Sequence, residues 1–504
     1  MDTALVLPNE LWEHIFNFLP RPSVLTMVIV NKEFHQLGRP RVWRTLKLCS
    51  SNPQNSERIQ AVFNNPTLAT FVKDITIAEP YYSPQSRASL LSTALRRISP
   101  FGNPPDINEI ALAEFHAIKL AGKVLSHLTS VRNMRVSFPK NPMSFTGSYS
   151  PYMTLWASLV DHQSLYNIRS LQLTIDTYQV SYLSQCINQA SPIFQNLEEF
   201  NLIVEFWSGC SYWWKTFTIL LFIRQSIRYL SYDGKNPPTH SHFPATSFGY
   251  LPNLVRFYQG YAGKGWEKVD PDACQKFLMQ HRKTLTHLIL KGLEIDALEF
   301  LWPTAVDQNV YPRLDTIHLT STAARQGNQP NGRCIPSFAP YADSLTTLSL
   351  LGPNLSYTDV EQLVMGLAKQ RIGSKPTALL RRLRFTVSIL TPELFDLLSE
   401  YLGDLRVMDL SFVLLAADKA RSKGTRGYNK EVWDLIKTRS YPSWNLYHVD
   451  ARNLNRLGPN GLRMRNKNLL RLLMEVVPSI EEVGEIDWSD VDGEKYFTDS
   501  SLGL

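Results

Sequence analysis

A six-residue pattern, apolar-x-x-apolar-x-apolar, returns along most of this 504-residue chain and constrains its fold more than any other feature. It reads Ile168/Leu171/Leu173, Leu197/Phe200/Leu202, Ile227/Leu230/Tyr232 and Leu285/Leu288/Leu290. It continues as Leu314/Ile317/Leu319, Leu345/Leu348/Leu350, Leu380/Leu383/Phe385 and Leu405/Met408/Leu410. A weaker copy, Leu254/Phe257, ends on Gln259, and the mean spacing is about 30 residues. Earlier echoes, Val72/Ile75/Ile77 and Val131/Met134/Val136, lie 59 residues apart, close to two periods. The closing apolar-x-apolar is the alternation of a short strand. Between the strands lie helix-like stretches. Residues 357–370 carry Val360, Leu363, Val364 and Leu367 on one face, and residues 272–284 and 466–477 are similar. Residues 392–402 follow Thr391, which is placed to cap a helix opened by Pro392. One strand and one helix cannot bury their apolar faces alone, so such units must stack and share a continuous core. The Leu and Ile of the pattern are therefore expected in that core.

A period of this length, with strand then helix, resembles a leucine-rich-repeat solenoid. The Asn or Cys that the family places after the last strand Leu is mostly absent here, so the expected class is an irregular α/β repeat. The array is expected over residues 166–488. Residues 49–165 fit least well, with Pro-rich breaks at 100–105 and 140–151. They read as an irregular linker and the first part of the array.

The first 48 residues read differently, as three short helices. Pro8 stands where a proline starts a helix without losing a needed N–H, and Leu11, Ile15, Phe18 and Leu19 follow at helical spacing. Pro20, Arg21 and Pro22 break that helix. Residues 23–30 are apolar almost all round, which a lone surface helix is not. Asn31 suits the N-cap of a third helix carrying Phe34 and Leu37, which Arg39-Pro40 is expected to end before Trp43 leads into an extended run, Thr45-Leu46-Lys47-Leu48. So short a unit cannot cover this much apolar surface by itself, and it needs a partner.

In order and spacing, Leu7-Pro8-Asn9-Glu10-Leu11, Ile15, Phe18-Leu19-Pro20, Val24-Leu25, Val30-Asn31-Lys32-Glu33-Phe34 and Trp43-Arg44 resemble the F-box motif. The second helix is more aliphatic than the family pattern, with Met27-Val28-Ile29 where a polar residue often stands. The resemblance implies docking on a Skp-type adaptor, and through it a cullin. It implies adaptor contacts by Leu7, Pro8, Leu11, Ile15, Leu19, Pro20, Val24, Leu25, Val30 and Trp43.

Little else in the chain suggests chemistry. Residues 260–265 look like a phosphate loop, but Trp266 and Glu267 stand where Lys and Ser/Thr are required. His240 and His242 lack further ligands at metal spacing, and Asp161-His162 near Ser164 is adjacency only. The five Cys residues (Cys49, Cys186, Cys210, Cys274, Cys334) are scattered, as in a reduced cytoplasmic or nuclear protein. No catalytic residue, metal, cofactor, membrane span or secretory signal is expected.

The net charge of +7 conceals an asymmetry. From Ile480 onward eight acids face Lys495 alone, a net of −7, which leaves about +14 on the preceding body. The basic residues are spread rather than striped, which argues against nucleic acid as the partner. One cationic loop stands out, with Lys419, Arg421, Lys423 and Arg426, a candidate contact for an acidic or phosphorylated protein substrate. Two other long loops, 234–253 and 321–343, are further contact candidates. The expected function is a non-catalytic substrate receptor of an SCF-type (Skp adaptor–cullin–F-box) ubiquitin ligase, with the array holding an unidentified protein substrate. The alternatives are an F-box scaffold without a ligase role and a nucleic-acid-binding solenoid. The organisation expected is F-box over 1–48, linker and first repeats over 49–165, array over 166–488 and acidic tail over 489–504.

Overall fold

The computed structural model describes residues 7–48, 53–78, 120–137, 166–176, 194–206, 225–235, 249–262, 271–293, 311–321, 338–368, 378–417, 430–457, 463–484, 486 and 488. The chain forms two compact units, Met1–Ile227 and Arg228–Leu504.

The first unit opens with helices α1 (Asn9–Phe18), α2 (Arg21–Met27) and α3 (Lys32–Val42), and strand β1 (Thr45–Leu48) follows almost at once. Asn31 caps α3 as its sequence suggests, its side-chain oxygen accepting the Phe34 N–H at 2.7 Å. Pro40 does not end α3, however. It sits inside the last turn, where its missing N–H removes one helical bond, and the Trp43 N–H closes the helix on the Arg39 carbonyl at 3.0 Å. After α4 (Pro53–Asn64) and α5 (Pro66–Ala69) come β2 (Asp74–Ala78), β3 (Asn133–Ser137), β4 (Ser170–Asp176) and β5 (Glu199–Phe206). These five strands pair in parallel and in sequence order, so the array begins at Thr45.

The second unit repeats the plan with β6 (Tyr229–Lys235), β7 (Arg256–Ala262), β8 (His287–Leu293), β9 (Thr316–Ser321), β10 (Thr347–Leu355), β11 (Arg382–Leu390), β12 (Val407–Leu415) and β13 (His448–Leu457), all parallel in order. Two short strands, β14 (Arg463–Arg465) and β15 (Glu482–Val483), pair with β13. Its helices are α6 (Pro271–Gln280), α7 (Tyr357–Leu367), α8 (Pro392–Tyr401), α9 (Lys430–Lys437) and α10 (Lys467–Val476). Ser356 and Asp359 cap α7 reciprocally, at 3.2 and 2.8 Å. At α8 the expected cap is only positional. Thr391 occupies the N-cap, but its buried hydroxyl makes no hydrogen bond.

The pairing register reproduces the sequence repeat. Ile75, Met134, Leu171 and Phe200 lie opposite one another in the first unit. In the second the row runs Leu230, Phe257, Leu288, Ile317, Leu348, Leu383, Met408 and Val449. Every residue of both rows is buried. A one-residue slip would turn each row to the other face of its sheet, so the repeat itself sets the register. One further copy, Leu446/Val449/Ala451, completes the second unit and is buried throughout.

Candidate functional site

Helix α1 carries two apolar stripes, and only one faces inward. Trp12 and Phe16 turn toward α3, their rings 4.7 and 5.8 Å from that of Phe34, and Phe16 is fully buried. On the other side Leu11, Ile15 and Phe18 stand exposed, with Phe18 at 76%. Leu7 and Pro8 precede them, also exposed, and the Pro8 carbonyl accepts the Leu11 N–H at 3.0 Å to open the helix.

Helix α2 divides in the same way. Val24 has no exposed surface and packs among the three helices, while Leu25 faces out. The helix stops at Met27 because the β-branched run Val28-Ile29-Val30 is stiff at χ1 and fits a helix poorly. The following turn presents Ile29 at 81% and Val30 at 61% exposure. Gly38 of α3 allows this packing, since a Cβ there would collide with the Val28 side chain and press on the Phe16 ring at 3.2 Å. The guanidinium of Arg41 ties α3 to α1 by donating to the Phe16 carbonyl.

Of the ten residues singled out from the sequence, Leu7, Pro8, Leu11, Ile15, Pro20, Leu25 and Val30 are exposed and Leu19 is half-buried. The other two lie elsewhere. Val24 is interior, and Trp43 is half-buried with its ring 5.1 Å from the Arg58 guanidinium. Phe18 and Ile29, not singled out, are the two most exposed large apolar side chains among the described residues. Their signal was present as apolar residues on a stripe with no interior left to fill. The basic residues Lys419, Arg421, Lys423 and Arg426 lie outside the described residues, as do His240 and His242 and most of the loops 234–253 and 321–343.

The helical unit is fixed to the array by polar contacts. Arg58 of α4 donates to the carbonyls of Val42 at 2.7 Å and Thr45 at 3.1 Å, across the junction of α3 and β1. Burial, helped by the nearby Arg21 charge, lowers its pKa from the usual arginine value. Arg44 pairs with Asp74 of β2 at 3.0 Å, and Asn133 of β3 donates to the same carboxylate at 2.6 Å. The Arg39 guanidinium lies 5.7 Å from the Phe71 ring. With only two residues between α3 and β1, these contacts make the junction a fixed joint.

Among the described residues, no three His, Cys, Asp or Glu side chains are grouped to hold a metal ion, and no helix is long and apolar enough to cross a membrane. Of the five Cys residues only Cys274 is described, buried and outside any disulfide.

Residues 5–44 match the F-box domain family model. No curated protein matches the chain. Among solved structures, the crystal structure of the Rad7 and Elc1 complex in yeast is 13% identical over 95% of this chain and 93% of that one, with a TM-score of 0.40. The helical unit at residues 5–44 is an F-box domain, and a parallel repeat solenoid follows it.

Proposed function

We propose that this chain is the substrate-recognition subunit of an SCF-type ubiquitin ligase. The observation that carries the reading is the apolar strip of α1 and the α2 turn on a domain that matches the F-box model. Leu7, Pro8, Leu11, Ile15, Leu19, Pro20, Leu25 and Val30 would meet a Skp-type adaptor, joined by Phe18 and Ile29. Val24 supports that surface from beneath, and Trp43 lies at the junction with the array. An apolar strip of this kind gains by leaving water against a helix of a partner.

The chain contributes no reacting group in this reading. Its work is to hold. The adaptor links the F-box to a cullin, the array captures a protein substrate, and the joint at Arg58 fixes the F-box to the first strand of the array. The gain is in effective concentration of the substrate's lysines at the ubiquitin-charged enzyme. A freely jointed linker would dilute it.

The test is capture of purified Skp-type adaptor by the full chain and by its Leu7→Ala/Pro8→Ala variant, followed by addition of a cullin. The full chain should retain both adaptor and cullin, and the variant neither. Equal capture by a folded variant removes the F-box surface from the account. Adaptor without cullin leaves a scaffold with no ligase role.

A further inference from the structure

The C-terminal segment is acidic in sequence, yet two of its residues are buried in the second unit. Ile486 is 6% exposed and Trp488 is 3% exposed, and both pack with Val407 of β12. Trp488 lies against the sheet face opposite the helices. Its ring centre is 4.8 Å from the Arg382 guanidinium and 5.5 Å from that of Arg384. In the β11–β12 register Arg382 is opposite Val407 and Arg384 opposite Asp409, so these four side chains form one contiguous bed. Arg384 pairs with Asp409 at 3.0 Å, and on β13 Arg452 pairs with Asp450 at 2.7 Å.

The route to this bed is set by the backbone. Strand β15 adds to β13 beside His448 and Val449, and Gly484 follows with φ of 132°, a value that side-chain-bearing residues rarely adopt. Its N–H bonds the Val449 carbonyl at 3.1 Å. From Gly484 to Trp488 is four residues, a reach of at most about 14 Å. Crossing from the edge at β15 over β13 and β12 to β11 is three strand spacings, again about 14 Å.

Trp488 does not sit as a core tryptophan sits. Trp444 shows the contrast in the same unit, since its indole N–H donates to the Leu402 carbonyl at 3.1 Å and its ring meets Tyr441. Trp488 instead stacks on two guanidinium groups, and its indole N–H is directed at the Asp409 carboxylate, so its polar partner is a charged pair and not a backbone carbonyl. Stacking on arginine is favourable, but covering the ion pair costs hydration, and burial pushes the Asp409 carboxyl up against the pull of Arg384 and Arg452. Lifting the tryptophan returns water to those charges, which offsets part of the lost contact. Such an occupant is displaceable.

We propose that the face of β11–β13 opposite the helices is a binding site for an acidic peptide segment anchored by tryptophan, and that the chain's own C-terminal segment is its resident occupant. Residues 485–504 carry six acids and one lysine, complementary to the basic body. A protein substrate would enter by presenting the same chemistry and displacing Trp488. A resident held in the same chain acts at an effective concentration of about millimolar, so it screens out weak competitors. This site rests on the reading of the array as a receptor.

The experiment compares the full chain with its Trp488→Ala variant, using a fluorescein-labelled peptide of residues 481–504 and anisotropy as the readout. The variant, with its resident anchor gone, should bind the peptide at least tenfold tighter than the native chain. A peptide carrying alanine for its tryptophan should lose that binding, and so should native peptide with the Trp488→Ala/Arg384→Met chain. Equal binding by native chain and variant, no binding by either, or undiminished binding of the tryptophan-free peptide overturns the proposal. So does a variant that loses its cooperative unfolding transition, which makes Trp488 a part of the core. Adaptor capture by the same variant, expected unchanged, separates failure of this site from failure of the ligase reading.

Discussion

In residues 7–30 large apolar side chains point outward, whereas along β9–β12 even polar ones are enclosed. Leu7, Leu11, Ile15, Phe18, Leu25, Ile29 and Val30 make up half of the fourteen exposed large hydrophobics among the described residues. In the array Thr316, His318, Thr347, Ser349, Thr386 and Asp409 are buried on the face away from the helices. The two regions use the same amino acids to opposite ends. The array is a closed structure whose repeats complete one another. The helical unit has an interior of its own (Phe16, Val24, Phe34) and a second apolar surface that faces outward, which the proposed function assigns to the adaptor. That division says where a substitution should harm folding and where it should harm binding.

The largest effect should come from the array. Leu383 is central in the long buried row and 1% exposed, so Leu383→Ala leaves a cavity and should cost about 2–5 kcal/mol in urea unfolding. Adaptor affinity per folded molecule should not change. A cost below about 1 kcal/mol would mean the row collapses to fill the gap, and the comparison would lose its first term.

The converse experiment is Ile15→Ala with Phe18→Ala. Both residues are exposed, so unfolding free energy should move by no more than about 0.5 kcal/mol. Adaptor affinity should fall by about 2 kcal/mol or more, near 30-fold, because truncated apolar anchors at an interface centre cost that much. Isothermal titration with purified adaptor reads the affinity and urea unfolding reads the stability. Loss of stability without loss of affinity would reverse the assignment of inside and outside.

Acid should act on the array through its histidines. Burial, then the Arg256 charge, pushes His287 down to about 4, against the pull of Asp315. Burial also lowers His281 and takes His318 well below the ordinary value. A histidine depressed in the folded state binds fewer protons than it does unfolded. The stability is thus complete above pH about 6.5 and is lost as pH falls toward about 4. Asp409, pushed up by burial, works in the opposite sense, so the informative quantity is a difference between proteins. Tm against pH should fall less steeply between 6.5 and 4 for His287→Asn than for the native chain. Parallel curves would remove His287 from the account.

These contrasts were legible in the sequence to different depths. The strand repeat was plain because period-2 alternation and a 30-residue return are local signals, and ladder register follows from them. The copy at Leu446/Val449/Ala451 escaped because Ala451 is too small to mark a core position. On α1, residues 11, 15 and 18 and residues 12 and 16 both keep helical spacing. Periodicity reveals each stripe but not which one is interior, and that depends on Phe34 arriving from α3. Trp488 was hidden by its neighbours, since acids on both sides give the composition of a solvated tail. Its burial follows from Arg382 and Arg384, about a hundred residues away in sequence, which no local window contains.

Thr391 offers the smallest effect and a sharp one. Its position before Pro392 predicts a cap, and a threonine cap normally contributes about 1 kcal/mol. In the structure the hydroxyl is buried without a partner, at 1% residue exposure, while the Thr391 carbonyl still accepts the Leu394 N–H at 3.2 Å. A buried hydroxyl lacking a hydrogen bond destabilises, and valine has nearly the same shape without it. Thr391→Val should therefore be neutral or raise stability by up to about 1 kcal/mol in urea unfolding, with the backbone bond intact. Had the side chain been capping α8, the same change would lower stability by a similar amount. The sign alone decides whether this helix start follows the rule of its sequence or the packing of the enclosed array around it.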